Sequence, residues 1–94
     1  MRVDYKTAPE ILQAGSQHMS DRAALRDSPC GERSMRSTVD AFNAIYGTEM
    51  TEAQGWQFMV LLKVVRSSQG ELCLDDYEDE AAYAALAGEA AQKC

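Results

Sequence analysis

A chain of 94 residues with 46% apolar and 26% charged residues has the composition of one globular domain, which excludes wholesale disorder. At this length about 60–65% of the unfolded surface can be buried, so the core is small and self-association is expected. A formal charge of −6 excludes broad binding to nucleic acid, and the longest apolar run, Phe58 to Leu62, is too short to span a bilayer.

The chain opens its first predicted element at Thr7-Ala8-Pro9-Glu10, a capping box with proline in the first turn. The spacing predicts a helix from about Ala8 to about Met19, with Ile11, Leu12, Ala14 and Met19 as its apolar members. His18 is read as a polar residue at that helix end rather than as a catalytic group. From Ser20 to Gly31 the chain is polar and arginine-bearing, with one helical turn at Asp21 to Arg26 and a turn at Ser28-Pro29-Cys30-Gly31.

A second helix is expected over about Glu32 to Tyr46, where Met35, Val39, Phe42 and Ile45/Tyr46 recur every three or four residues and Gly47 stops it. Thr51-Glu52-Ala53-Gln54 is another capping box and opens a third helix that ends near Ser67 or Ser68. Between Trp56 and Val65 this helix is apolar nearly all round, as expected of one surrounded by others. Asp75 or Asp76 is then positioned to cap a fourth helix running to about Ala91, with Gly88 and the alanines permitting close packing. The fold class is therefore all-α. It is a compact four-helix domain whose central apolar helix, about Glu52 to Ser68, pairs with an acidic-start helix, about Asp76 to Ala91.

Helical spacing places Asp76, Asp79, Tyr83, Leu86 and Ala90 on one stripe. Asp75, Glu78 and Glu80 lie off it, and helix-end stabilisation with solvation suffices for them. In the third helix Trp56, Met59, Lys63 and Arg66 share a face. If the third and fourth helices form an antiparallel hairpin, Lys63 and Arg66 come level with Asp76 and Asp79. One reading is a partly buried network of mutually neutralised charges, to which Tyr83 adds a hydrogen-bonding group. The other is a phosphate or nucleotide receptor in which Arg22, Arg26 and Arg33 converge with Lys63 and Arg66 on the hairpin end.

Cys30, Cys73 and Cys94 have no CxxC spacing, and His18 is the only histidine, so no zinc site is expected. Three cysteines without an apolar leader read as free thiols in a reducing cytoplasm.

Taken together, DRAALRD, GERSM, LLKVVR and DDYEDEAAYAAL followed by GE resemble a family of small helical phage and prophage proteins catalogued as a domain of unknown function. The resemblance spans about Glu10 to about Ala90. More distantly, Asp76-Tyr77-Glu78-Asp79 looks like the acidic pair of the MazG-type all-α nucleotide pyrophosphohydrolases. That likeness implies a magnesium ion held by Asp76, Asp79 and Glu32. The third helix departs from the pattern, because Lys63 and Arg66 stand where those hydrolases carry acids, and a magnesium ion needs several oxygen ligands. The expected activity is thus that of a phage accessory protein binding a host or defence protein, or a nucleotide, without catalysis and without a cofactor. The alternative is a divergent magnesium-dependent pyrophosphohydrolase.

Overall fold

The structure, a computed structural model, describes residues 5–26 and 34–93, the side chains of residues 23–26 excepted. Four helices make up the fold: α1 (Ala8–Arg26), α2 (Ser34–Tyr46), α3 (Glu52–Ser67) and α4 (Leu74–Ala91). The all-α class is the one expected. Glu32, Arg33, Cys30, Cys94 and the Ser28 to Gly31 turn lie outside the described residues, as does the Arg26 side chain.

Two capping boxes start helices where the sequence places them. At α1 the Thr7 hydroxyl accepts from the Glu10 backbone N–H at 3.4 Å and donates to Glu10 Oε1 at 2.8 Å, while the Thr7 backbone N–H donates to the same oxygen at 3.0 Å. These bonds, the backbone one first, hold the Glu10 carboxyl below its ordinary value of 4.5. At α3 the Thr51 hydroxyl accepts from the Gln54 N–H at 3.1 Å, and the Gln54 side chain returns a bond to the Thr51 N–H at 2.9 Å.

α1 is longer than its apolar spacing suggests. It continues past Met19 to Arg26 without a break, because Asp21 to Arg26 holds good helix formers and no proline, and Gln17 bonds Asp21 across one turn at 2.9 Å. The start of α4 also differs. Cys73 occupies the cap position with no side-chain bond, and Asp75 and Asp76 lie within the first turn. There they face the positive helix end rather than capping it.

α4 packs most extensively on α3 and also along α1, whereas α2 touches α3 alone among the helices. The spatial order is therefore α1, α4, α3, α2. Glycine allows two of these contacts. A Cβ at Gly15 would sit 2.7 Å from the Glu78 carbonyl oxygen, so α1 and α4 meet backbone to backbone. A Cβ at Gly55 would meet Met35 Sδ at 2.5 Å and Val39 Cγ1 at 2.7 Å, where α2 crosses α3. Gly88, expected to be a packing point, has open space where its Cβ would be.

The core lies mainly between α3 and α4. Trp56, Ala87 and Ala90 form its buried centre, with Met35, Ala53, Met59, Tyr83 and Leu86 packed around it. α3 is flanked by α4 and α2, but its remaining side is open, so Phe58, Leu61, Leu62 and Val65 reach solvent. Among the described residues no third helix closes that side. The Cα radius of gyration is 14.8 Å. A compact domain of this length has about 12 Å.

Candidate functional site

Packing on two sides gives α4 two inward faces. One carries Asp76, Asp79 and Tyr83 toward α3; the other carries Glu78 and Ala82 toward α1. Asp76, Glu78 and Asp79 are all buried. Three carboxylates within four residues of one helix are costly to bury unless each finds a cation. Each of them does.

Glu78 is only 1% exposed, the most enclosed charged side chain among the described residues. Lys6 Nζ donates to its Oε2 at 2.5 Å, and His18 Nε2 lies 2.8 Å from its Oε1. Burial pushes the Glu78 carboxyl up, but the hydrogen bonds from Lys6 and His18 and their charges outweigh it, leaving it below the ordinary 4.5. An ionised carboxylate only accepts, so the proton in the imidazole bond resides on His18 Nε2. Lys6 is held above its ordinary 10.5, chiefly by the same hydrogen bond.

Asp79 joins three helices. Lys63 Nζ of α3 lies 3.1 Å from its Oδ2, and Arg22 of α1 donates from Nη2 to its Oδ1 at 3.3 Å. The Lys63 side chain is 12% exposed, that of Arg22 54%. One turn earlier on α4, Asp76 Oδ1 lies 3.8 Å from Arg66 Nε, whose side chain is 59% exposed. Two partly exposed guanidinium groups thus rise from buried aspartates one helical turn apart, and the largely buried Lys63 ammonium shares Asp79 with Arg22. No buried side-chain nitrogen or oxygen among the described residues lacks a hydrogen-bond partner.

The structure therefore brings Arg22, Lys63, Arg66, Asp76 and Asp79 to one end of the α3–α4 hairpin. Tyr83 is elsewhere: its ring stacks on Trp56 at a centroid distance of 5.7 Å and an interplanar angle of 21°. Arg26, through its side chain, and Arg33 and Glu32 lie outside the described residues. Lys6, His18 and Glu78 are the members that sequence reasoning leaves out. The assignment of Glu78 to solvent is overturned because α1 covers the side of α4 that turns away from α3. A usable signal was present, since Glu78 and Ala82 share a second stripe and Gly15 interrupts α1 where a neighbouring backbone can approach.

A ligand atom from each of His18, Asp75 and Glu78 lies within 4.8 Å of the others, a spacing compatible with a cation. The Lys6 ammonium already supplies positive charge there. Asp76 and Asp79 likewise face Arg66, Lys63 and Arg22 rather than further acids, so this set does not fit a magnesium ion, which those cations would repel.

No curated protein and no solved structure matches the chain. A family model does match residues 10–91, a span that takes in α2, α3, α4 and every ion-paired residue above except Lys6, and the chain belongs to that family, described as a domain of unknown function (DUF6378).

Proposed function

We propose that the protein is a phage or prophage accessory protein that acts by binding, without catalysis, and that its ligand is a nucleotide or another phosphate-bearing molecule held at the hairpin end. One observation carries this reading. Arg22 and Arg66 are more than half exposed, yet each is fixed at one point by a buried aspartate of α4. A guanidinium has five N–H donors, so most of them remain for an anion, and a tethered arginine loses little conformational freedom when it binds. Lys63 sets the local charge, Asp79 positions Arg22 and Lys63, and Asp76 positions Arg66.

Calorimetry against a panel of nucleotides, with and without magnesium, tests the reading. Binding that survives chelation and falls at least tenfold in Arg22→Ala and Arg66→Ala is the expected result. Loss of binding on chelation would refute it, as would no binding to any nucleotide. The competing reading is a divergent MazG-type pyrophosphohydrolase in which Asp76, Asp79 and Glu32 hold magnesium. Its support is the cation-compatible spacing of His18, Asp75 and Glu78, which lies with Lys6 on the α1 side of α4 and not with Asp76 and Asp79. That reading requires metal-dependent pyrophosphate release abolished by Asp79→Ala. A third outcome, a protein partner from the host or its defences, would leave both nucleotide assays silent.

A further inference from the structure

The open side of α3 is not a scatter of apolar residues. Phe58, Leu61, Leu62 and Val65 follow the i, i+3, i+4, i+7 spacing of a single helical stripe, and all four are exposed, Phe58 and Leu61 each at 62%. The stripe carries no charge. Lys63, the only ionisable residue within its span, reaches Asp79 on the opposite side of the helix. α2 adds to this surplus: it meets α3 around Gly55, and beyond that crossing Ile45 and Tyr46 are exposed at 73% and 68%.

We propose that this apolar stripe of α3 is the interface of a homodimer in which α3 packs against α3 of a second copy. Three observations select a second copy over another protein. The first is area. With about 150–200 Å² per side chain, the exposed fractions of Phe58, Leu61, Leu62 and Val65 amount to roughly 300–450 Å² of apolar surface. A stable interface takes about 600–1,000 Å² per partner, of which about 56–65% is apolar, so the stripe supplies most of the apolar part of a small one.

The second is the size of the intramolecular core. Among the described residues only Val39, Trp56, Ala82, Ala87 and Ala90 are buried apolar side chains, and three of these are alanines. A chain with so little buried apolar area needs further burial whenever it is folded, and the partner present wherever the chain is made is another copy of itself. The third is charge. The acidic helix α4 lies against the far side of α3, so two copies joined through the stripe keep their negative surfaces apart. A basic partner would gain nothing from a stripe without carboxylates. A self-complementary stripe related by a two-fold axis is the commonest closed arrangement.

Sedimentation equilibrium of the full chain from micromolar to submillimolar concentration, together with thermal unfolding over the same range, tests this. The expected results are a species of twice 10.4 kDa and an unfolding midpoint that rises with concentration. Phe58→Lys with Leu61→Lys should yield either a folded species of single mass or an unfolded chain, because the dimer is lost in both cases. A wild-type monomer with a concentration-independent midpoint would overturn the proposal and leave the stripe to a different occupant. So would a dimer that the two substitutions leave intact.

Discussion

Replacing Lys63 by methionine separates a structural ion pair from a ligand-binding lysine. Lys63 and Asp79 are each 12% exposed at the side chain and lie 3.1 Å apart, so the pair is largely shielded from water. Methionine keeps most of the stem's volume and apolar contact, and the change reports mainly on charge. Removing one member of a buried pair costs about 3–5 kcal/mol, because the other is left uncompensated. Here Arg22 still reaches Asp79 at 3.3 Å, though it is 54% exposed and partly screened, so we expect a smaller loss of about 2–3 kcal/mol. For a domain of this size that is a fall of about 10–20 °C in the unfolding midpoint. The assay is urea or thermal unfolding at one fixed protein concentration, with Lys63→Met/Asp79→Leu beside it. The double variant has no buried orphan charge and should recover most of the stability, giving a coupling above about 1 kcal/mol. A loss below about 0.5 kcal/mol in the single variant would refute the reasoning, because that is the size of an exposed pair.

The remaining predictions concern the α1–α4 contact. Glu78→Gln is expected to cost about 1–2 kcal/mol by unfolding, below the full value of two charge-assisted bonds because Lys6 and His18 remain partly solvated. Since the Glu78 carboxyl titrates below 4.5 when folded, the unfolded chain binds more protons just below that pH. Stability from this group is therefore present above 4.5 and lost as pH falls through the folded value, a limb that Glu78→Gln should flatten. At the alkaline end the Lys6 contribution is complete below 10.5 and disappears as pH rises past its raised folded value. Gly15→Ala and Gly88→Ala gain the same helix propensity, up to about 1 kcal/mol, but only the first clashes with backbone. Chemical denaturation should find Gly88→Ala stabilising and Gly15→Ala lower by about 1–3 kcal/mol.

Much of the fold was legible because helix starts and stops are local. Both capping boxes and Gly47, at φ +67°, act through neighbours in sequence. The hairpin contact between Lys63, Arg66 and the α4 aspartates follows from spacing plus a short connection, which again needs little tertiary knowledge. Glu78 was not legible in that way, because its burial depends on α1 returning along the far side of α4, a contact across 60 residues of chain to His18. The continuity of α1 is hidden for a different reason: apolar spacing stops at Met19, and the helical turn expected at Asp21 to Arg26 joins the first helix because helix propensity is intact across the polar residues between them. The open stripe on α3 reads in sequence like a buried helix, since periodicity reports that a face must be covered and not whether the same chain covers it.

The account depends on the carboxylates of α4 being held by the protein's own cations. Following the side-chain carboxyl of Glu78 by NMR through an acid titration, with and without excess magnesium, tests this most directly. The account predicts a midpoint below 4.5 that magnesium leaves in place and that rises when Lys6 is changed to methionine. A midpoint above 4.5, or one that magnesium displaces, would contradict it.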